Sequence, residues 1–349
     1  MVLMKKVTTS LSTDETLSDE DQVFFSIIVP MYNRATTIRR CLESALSQDF
    51  TDYEIIIVDD GSEDDSVAVV ESYLPDPHVT LVKSQENCGV CAARGLGVRH
   101  ARGRWIMFID SDDAFHPGAL QTIYEETNKA PAEVSEIRFC YFCEAIGKVT
   151  PIPMMPQGIL GFPEYLKWLE ELFRLGNKGN SDLLYCQRRE IYNLISWPTD
   201  REYELLYHLE LASKIKVIMS RKVVGTMHDD APERITKSNN ILSRGKSMAI
   251  AGDNANSNAK LLMNYGKRLK RHCPSVYEYL HNHVGELYMR SGEKAKGCRY
   301  LLKYIGMRPF SLTGWGMLIL GLMGPDMMSW GRRKFGKKIR AIGKKLGVE

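Results

Sequence analysis

Short apolar runs alternate with segments of helical periodicity from Val23 to about residue 125, and this alternation constrains the fold more than any other feature. The apolar runs are rich in β-branched residues and have the sequences SIIVP, EIIIVDD, VTLVK and RWIMFID. The segments between them carry apolar residues at helical spacing. Short buried strands that alternate with helices are typical of a mostly parallel sheet covered on both faces. The sequence therefore predicts an α/β fold.

Turn and cap residues give the expected element boundaries. Thr36 or Thr37 is predicted to cap the first helix, and Ser62 with Asp65 is predicted to form a capping box at the second. The runs VIMS and KVVGT are predicted to be strands that add antiparallel edges to the sheet. With 349 residues the chain exceeds what one core usually serves. We expect a loosely ordered segment over 1–22, an α/β domain over 23–245 with halves 23–125 and 126–245, a helical extension over 246–330, and a basic amphipathic tail over 331–349.

The charge of the chain is unevenly distributed. The formal net charge is only +3, but residues 331–349 hold eight Lys or Arg and one Glu. In this tail Phe335, Ile339, Ile342 and Leu346 form one apolar stripe at helical spacing. A basic amphipathic helix of this kind is typical of an anionic membrane interface. Packing of the tail on the protein and binding to nucleic acid are the alternatives, and we favour the membrane and expect no nucleic acid partner.

Composition bounds the class of protein. A hydrophobic content of 44% excludes a disordered chain, and eight irregularly spaced Cys in a chain of this length indicate reduced thiols. The start MVLMKKVTTSLSTDE has no apolar stretch typical of a signal peptide, and the apolar run from Gly314 to Gly324 is too short to span a bilayer. We therefore expect a cytoplasmic protein, peripheral at the inner face of the cell membrane.

Polar side chains follow each predicted strand. Tyr32 and Asn33 follow the first, the pair 59–60 follows the second, Asn87 follows the third, and the turn 110–113 follows the fourth. In such sheets ligands bind outside the carboxyl ends of the strands. The first and third carboxylates of Asp110-Ser111-Asp112-Asp113 can close on one hard cation, which suits Mg²⁺ or Mn²⁺ holding a diphosphate. An acidic turn that is merely solvated is the alternative.

Four segments, SIIVPMYNR, EIIIVDDGSEDDS, ENCGVCAARGLGV and RWIMFIDSDDAFHPGAL, resemble in order and spacing the signatures of the inverting nucleotide-sugar glycosyltransferases of family 2. The resemblance covers residues 23–125 closely and 185–236 more loosely. It implies the GT-A fold, a Rossmann-like, mostly parallel sheet with helices on both faces, here followed by a C-terminal helical extension.

The resemblance also implies roles for individual residues. Tyr32 with Pro30 would line the nucleobase slot, Asp60 would accept a hydrogen bond from the base edge, and Asp110 would contact the ribose. The whole implied nucleotide site comprises Pro30, Tyr32, Asn33, Arg34, Asp59, Asp60, Asn87, Gly89, Arg94, Asp110 and Ser111. The implied ligands of Mn²⁺ or Mg²⁺ are Asp112, Asp113 and His228. His228 could instead contact the diphosphate, to which Arg234 would add a contact.

The family supplies a catalytic carboxylate at the start of a helix, and the matching stretch here is Arg201-Glu202-Tyr203-Glu204-Leu205. Glu202 falls on the position of the base. Glu is one methylene longer than the usual Asp, so Asp200 remains an alternative. Both carboxylates could also do no more than favour the N-terminal end of the helix dipole.

These observations predict a metal-dependent, inverting glycosyltransferase that moves one sugar from a nucleotide-sugar, with UDP favoured, to a hydroxyl of a growing, lipid-linked cell-envelope glycan. The alternative is a catalytically degenerate relative that serves as a nucleotide-binding or scaffold subunit of a polysaccharide assembly complex. A dehydrogenase is excluded because no G-x-G-x-x-G follows the first strand. The pairs Cys88/Cys91 and Cys140/Cys143 are 48 residues apart, which favours buried thiols over a zinc site.

Overall fold

The computed structural model describes residues 22–150, 155–174, 183–195, 204–231, 244–328 and Trp330. The chain divides into two compact units. The first consists of Met1–Gly161, Ser181–Arg201 and Leu211–Pro232. The second consists of Phe162–Asn180, Glu202–Glu210 and Glu233–Glu349. The boundary predicted near residue 245 stays a prediction.

The first unit contains the sheet and the helices that cover it. Its elements, in chain order, are β1 (Phe25–Met31), α1 (Ile38–Leu46), β2 (Tyr53–Asp59), α2 (Ser66–Glu71), β3 (Val79–Lys83), α3 (Val90–His100), β4 (Trp105–Phe108), β5 (Ala114–Phe115), α4 (Ala119–Lys129), β6 (Val134–Cys143), β7 (Lys148–Thr150), β8 (Ile159–Leu160), β9 (Leu183–Arg188) and β10 (Lys216–Met227). Short 3₁₀ helices span Glu144–Ile146 and Arg189–Asn193.

The sheet has the strand order β3-β2-β1-β4-β9-β6-β10-β5, with β7 paired to β6 and β8 to β10. The four strands β3, β2, β1 and β4 are mutually parallel, as the alternation predicted. Beyond β4 the sheet is mixed, because β9 runs antiparallel to both β4 and β6. The sheet thus has one parallel half, formed by the segment with the strongest sequence pattern.

The prediction for VIMS and KVVGT was wrong in topology. The two runs form one strand, β10, which lies inside the sheet and is parallel to β6. A register shift between Met219 and Val223 marks a bulge in this strand. The intervening Arg221 and Lys222 are exposed at the bulge, so the sequence looked like two strands separated by a turn.

Burial on both faces explains the continuous apolar runs. Every residue of β1 and β2 is buried. One face packs against α1 and α4, and the other packs against α3. At Gly97 of α3, an added Cβ would lie only 2.4 Å from Cγ2 of Ile28. The glycine therefore allows α3 to approach the sheet closely.

Neither predicted helix cap forms. Thr37 precedes α1, but its side chain makes no capping bond. The helix α2 begins at Ser66, after Asp65, so Ser62 and Asp65 do not form a capping box. The Ser62 hydroxyl instead accepts a hydrogen bond from the backbone N–H of Asn33 at 3.0 Å. A tertiary contact between two loops thus replaces the expected local one.

The second unit is helical. Its helices are α5 (Phe162–Arg174), α6 (Glu204–Ala212, of which the residues to Glu210 belong to this unit), α7 (Arg244–His272), α8 (Pro274–Ser291), α9 (Lys294–Met307) and α10 (Leu312–Met323). Buried side chains of α8, α9 and α10 form one of its clusters, with Met289, Leu301 and Leu318. Among the described helices, none combines the length and the apolar character needed to cross a bilayer.

Candidate functional site

The predicted site residues of the first unit gather at one edge of the sheet. Because β3, β2, β1 and β4 are parallel, their carboxyl ends meet at the same edge. The chain runs from β1 to β2 and β3 on one side, then returns to place β4 on the other side of β1. The strand order therefore switches at β1, next to the loops that hold Tyr32 and Asp110. This is the position where open α/β sheets bind ligands.

The loops after β1 and β2 are tied together by hydrogen bonds. Asn33 has a left-handed backbone with φ 52°, which an Asn tolerates better than most residues. Its N–H donates to the Ser62 hydroxyl at 3.0 Å, and its Oδ1 accepts from the N–H of Glu63 at 2.8 Å. The N–H of Arg34 donates to the Ser66 hydroxyl at 2.6 Å. These bonds fix the wall of the crevice beside Tyr32.

Two buried carboxylates follow β2. Asp60 accepts from the N–H of Cys88 at 2.9 Å with one oxygen and from the N–H of Gly89 at 2.7 Å with the other. Gly89 precedes α3 with φ 93°, a conformation that suits glycine. Asp59 accepts from the N–H of Ser62 at 3.2 Å. Asp60 therefore connects β2 to the start of α3, and its contact with a base edge stays a prediction.

The side chains of the implied nucleotide site that follow or end β1 differ in exposure. Tyr32 is 36% exposed, so part of this residue is accessible to a ligand. Pro30 is buried inside β1, in register with Val58. The guanidinium of Arg34 donates to the carbonyl oxygens of Tyr32 and Asn33, at 3.1 and 3.0 Å. Arg34 is thus folded back onto its own loop.

Arg94 and Asp110 form an ion pair across the crevice edge. Nη2 of Arg94 donates to Oδ1 of Asp110 at 2.8 Å, and the guanidinium lies 5.8 Å from the ring centroid of Phe108. The Arg94 side chain is 17% exposed, whereas that of Asp110 is 52% exposed. The pairing joins α3 to the end of β4 and brings together two residues of the implied nucleotide site.

The turn after β4 concentrates negative charge. The N–H of Asp113 donates to the carbonyl of Asp110 at 2.9 Å, which closes the turn. Burial is the main cause that raises the pKa of the Cys41 thiol and of the Tyr141 hydroxyl, and the negative charges of this turn add to the rise. Asp113 and Asp110 contribute to both shifts, and Asp112 contributes to that of Cys41. The carboxylates of the turn therefore lie near Cys41 and Tyr141.

Arg40 of α1 links this turn to the segment after β10. It donates to the carbonyl of Asp112 at 2.7 Å and forms two bonds to the carboxylate of Asp230, at 2.7 and 2.9 Å. The hydrogen bond from Arg40 lowers the pKa of Asp230 to about 2, and the positive charge of Arg40 acts in the same direction. Arg40 was not predicted from the sequence, because its acidic partner lies 190 residues away along the chain.

His228 reaches the same region through strand pairing. The end of β10 pairs antiparallel with β5, with Gly225 opposite Phe115. A Cβ at Gly225 would lie 2.6 Å from the carbonyl oxygen of Ala114, so the close pairing needs glycine. Nδ1 of His228 lies 2.9 Å from Oε1 of Glu144. When Nδ1 carries the proton of this contact in a neutral ring, Nε2 presents its lone pair, which can bind a metal ion. A contact with phosphate would instead need a proton on Nε2.

The donor atoms are of the type that Mg²⁺ and Mn²⁺ accept. Within the described ranges, no set of three or more His, Cys, Asp or Glu side chains is arranged to hold a metal ion. Mg²⁺ in nucleotide sites commonly uses one or two carboxylates, with water and substrate phosphate supplying the rest. The structure does not bring the predicted ligands Asp112, Asp113 and His228 together as a set of three. One or two of them would fit that smaller protein contribution.

Some predicted residues lie outside the described residues. These are Asp200, Glu202, Arg234, the tail 331–349 and residues 1–21 of the N-terminal segment. The four Cys weighed as a zinc site fall within the described ranges. Cys91 and Cys140 are buried, Cys143 is half-buried, and Cys88 is exposed, contrary to the expectation of buried thiols.

The segment that contains the parallel half of the sheet is similar in sequence to known proteins. Residues 26–158 match the family model "Glycosyl transferase family 2". Succinoglycan biosynthesis protein ExoO of Rhizobium meliloti is 41% identical over 110 residues, which are 32% of this chain and 31% of ExoO. The uncharacterized glycosyltransferase YibD of Escherichia coli K12 is 33% identical over 147 residues, 41% of this chain and 42% of YibD. Chondroitin synthase of Escherichia coli is 43% identical over 105 residues, 30% of this chain and 15% of that protein. The alignments thus span less than half the length of these relatives.

Solved structures extend the likeness of fold over most of the chain. Staphylococcus aureus TarS 1-349, in complex with UDP-GlcNAc, has a TM-score of 0.54 at 14% identity, with 89% of this chain and 92% of TarS covered. The mannosyltransferase PcManGT from Pyrobaculum calidifontis, in complex with GDP-Man and Mn²⁺, has a TM-score of 0.50 at 17% identity, with 94% of this chain and 88% of PcManGT covered. The predicted GT-A fold with its helical extension is therefore confirmed.

Proposed function

We propose, from the match of residues 26–158 to the family model "Glycosyl transferase family 2", that the protein transfers one sugar from a nucleotide-sugar to a hydroxyl of a growing cell-envelope glycan. The observation that carries the proposal is the meeting of Tyr32, Asp60, Asn87 and the carboxylate turn at one edge of the parallel strands. Relatives named for succinoglycan biosynthesis and chondroitin synthesis support a glycan product.

The donor would lie in the crevice at the switch of strand order. The exposed Tyr32 ring can stack on a base, and Asp60 can accept from a ring N–H, which favours uracil and hence a UDP-sugar. Arg94 would exchange its partner Asp110 for the diphosphate, while Asp110 turns to the ribose. Two proteins of this fold were crystallised with UDP-GlcNAc and GDP-Man, and this supports a nucleotide-sugar donor.

Metal dependence belongs to the same proposal. One or two of the predicted ligands Asp112, Asp113 and His228 would hold Mn²⁺ or Mg²⁺ together with water and substrate phosphate, and the Mn²⁺ in the PcManGT crystal supports this use. When bound, the cation would supply positive charge to the departing diphosphate. Arg40 would position Asp112 for this task through the bond to its carbonyl.

The transfer would proceed with inversion. The acceptor hydroxyl oxygen forms a bond to the anomeric carbon while the bond from that carbon to the diphosphate breaks. The hydroxyl proton passes to a carboxylate, and the nucleoside diphosphate leaves. We propose Glu202 as this base, with Asp200 as the alternative.

Nucleotide binding tests the proposal directly. Thermal-shift and calorimetric titrations with a panel of UDP- and GDP-sugars, with and without Mn²⁺, should give metal-dependent binding to the native chain. Asp112→Asn should weaken that binding at least tenfold. Asp49→Asn is the matched control, since Asp49 is exposed and makes no ion pair within the described residues. Equal binding by both variants would remove Asp112 from the site.

Turnover separates the candidate bases. Glu202→Gln should retain nucleotide-sugar binding and lower kcat by at least a hundredfold, whereas Asp200→Asn should retain both. Glu171→Gln, an exposed carboxylate of α5, is the matched control. The opposite pattern would assign the base to Asp200. Nucleotide binding without transfer to any acceptor would favour the alternative, a nucleotide-binding scaffold subunit of a polysaccharide assembly complex.

We further propose that the acceptor is lipid-linked and that the protein works at the cytoplasmic face of the membrane. The helix α10 supports this, because an apolar stripe covers about 100° of its circumference and is exposed. The stripe and its neighbours comprise Phe310, Leu312, Trp315, Ile319, Leu322 and Met323. Phe310 is 77% exposed and Ile319 is 57% exposed. The opposite face, with Gly314 and Leu318, is buried, so the exposed stripe is left for a partner.

An anionic bilayer surface is the partner that fits the stripe. With 12 residues α10 is about 18 Å long, which is too short to span a bilayer but long enough to lie in its interface. The sequence continues within a few residues into the tail with eight Lys or Arg. Apolar insertion and attraction to anionic headgroups are the two parts of interfacial binding. Each basic residue near such a surface adds about 1 kcal/mol.

Vesicle sedimentation tests this surface. The native chain should bind vesicles with 30% phosphatidylglycerol and bind pure phosphatidylcholine weakly. Replacing Trp315 and Ile319 by Ser should weaken binding to the anionic vesicles at least tenfold, and each charge removed at Lys337 and Lys338 should weaken it about fivefold. Ile146→Ser, an exposed apolar residue of the first unit, is the control. A chain that forms dimers through α10 and ignores vesicles would refute the membrane proposal.

A further inference from the structure

A cavity of about 240 Å³ lies at the opposite end of β4 from the carboxylate turn. It is lined by Gln22, Arg104, Arg188, Arg189 and Glu190. Arg104 precedes β4, and Arg188 ends β9, in register with the first residue of β4. At about 3.3 Å per residue, β4 separates this cavity from Asp110 by roughly 16 Å. The cavity is therefore distinct from the nucleotide crevice.

The arginines are held in place by rings and backbone. The guanidinium of Arg188 lies 4.6 Å from the ring centroid of Trp105, and its Nε donates to the carbonyl of Val134 at 2.8 Å. The guanidinium of Arg104 lies 5.6 Å from the ring centroid of Phe24. The N–H of Arg189 donates to the carbonyl of Arg104 at 2.9 Å. Stacked guanidiniums lose less freedom when they bind an anion, because their planes are already oriented.

These cations have no acidic partner in the part of the chain that the structure describes. Other arginines of the first unit do pair with carboxylates, among them Arg40, Arg94 and Arg102. Glu190 lines the cavity, but no ion pair joins it to Arg104, Arg188 or Arg189 within the described residues. Three guanidiniums and one carboxylate give the cavity a net charge of about two positive units.

From this geometry we propose that the cavity binds a phosphate group, free or carried by a larger molecule. Guanidinium forks match the oxygens of phosphate in bidentate fashion, and the charge of a phosphate monoester or of pyrophosphate offsets that of the cavity. The side-chain amide of Gln22 adds a neutral donor at the rim. The proposal does not depend on the glycosyltransferase activity, since the site lies at the other end of the strand.

Calorimetric titration of the full chain with pyrophosphate tests the site. The titration is made in 50 mM salt with a chelator, so that no divalent cation recruits pyrophosphate to the carboxylate turn. One saturable site with Kd below about 1 mM is expected. Arg104→Gln and Arg189→Gln should each weaken it about tenfold or more. Arg99→Gln, an exposed arginine of α3, should leave it unchanged.

Three outcomes would overturn the proposal. The first is the absence of saturable binding to the native chain. The second is binding that neither variant changes while circular dichroism shows native folding. The acidic run Asp19-Glu20-Asp21 directly precedes Gln22 in the sequence. Its carboxylates are the alternative to phosphate as the anions that the cavity would bind. Pyrophosphate binding that appears only after this run is replaced by amides would assign the cavity to the chain's own carboxylates and refute a phosphate ligand.

A second arm identifies the source of the phosphate. The native chain and Arg189→Gln are sedimented with vesicles that contain phosphatidic acid. Weaker binding of the variant, together with release of the native chain by pyrophosphate, would support a lipid phosphate. Equal vesicle binding, combined with the calorimetric loss, would support a soluble phosphate ester.

Discussion

Replacement of Arg40 by Met should destabilise the first unit by about 2 kcal/mol. The pair with Asp230 is partly exposed, with side-chain exposures of 32% and 56%, so it should contribute no more than about 0.5–1 kcal/mol. The bond from Arg40 to the carbonyl of Asp112 comes from a charged donor in a part-buried position and adds about 1.5 kcal/mol. For a unit of this size the loss lowers Tm by about 4–8 °C.

The loss of stability caused by replacing Arg40 should depend on pH. Asp230 has a pKa lowered from 3.8 to about 2, so the folded state holds its proton less tightly than the unfolded state. The stabilisation from the pair is therefore complete above pH 3.8 and is lost as the pH falls toward 2. The difference in Tm between the native chain and Arg40→Met should therefore be smaller at pH 3 than at pH 7. It should not vanish, because Asp230 is still partly ionised at pH 3 and the bond to the carbonyl of Asp112 does not titrate.

A double-mutant cycle separates the two contacts of Arg40. Asp230→Asn should cost only the pair, and the coupling energy with Arg40→Met should be about 0.5–1 kcal/mol. Arg39→Met is the matched control, because Arg39 precedes Arg40 in α1 and pairs with Glu43 at exposures of 57% and 60%. A melting temperature of Arg40→Met within 1 °C of that of the native chain would show that Arg40 does not hold the turn.

Three further predictions concern packing, reactivity and capping. Gly97→Ala should lower the free energy of unfolding by about 1–2 kcal/mol in urea titrations, because the clash with the stiff Ile28 side chain exceeds the gain in helix propensity. A more stable variant would contradict the close approach of α3 to the sheet. The exposed Cys88 should react fastest with a thiol reagent at pH 8. The Cys41 thiol should react slowly, because burial raises its pKa. Cys88→Ser must therefore remove the fast phase of the reaction. Ser311→Ala removes the 3.1 Å bond to a backbone N–H of α10 and should cost about 1 kcal/mol, and an unchanged melting curve would argue against the cap.

The sequence predicted the parallel half of the sheet because its evidence is local. The runs around Ile28 and Ile56 are apolar throughout, as strands buried on both faces must be. Gly61 lies in the turn after the second run, and Gly89 lies directly before the third helix. The strand-end residues, from Tyr32 to Asp113, could be placed at one edge before any coordinates because parallel strands share an edge.

What the sequence could not predict depends on partners far apart in the chain. The interruption of β10 at Arg221 looked like a turn, and only pairing with β6 makes it a bulge. Ser62 resembles a helix cap because Asp65 follows it at the spacing of a capping box. Its hydroxyl instead accepts a hydrogen bond from the N–H of Asn33, which lies 29 residues away in the loop after β1. The bond of Arg40 to Asp230 spans 190 residues, and an Arg on an amphipathic helix has no local signal for such a partner.

The hydrogen bonds that tie Asn33 and Arg34 to the loop after β2 bear on the thermodynamics of ligand capture. Ordering a flexible backbone costs about 1–2 kcal/mol per residue. Here that loss of entropy occurs when the chain folds, before any ligand arrives. A nucleotide that enters beside Tyr32 therefore meets a wall whose shape is already set, and its intrinsic affinity is not reduced by loop closure. Changes in this wall should alter the entropy of nucleotide association more than its enthalpy.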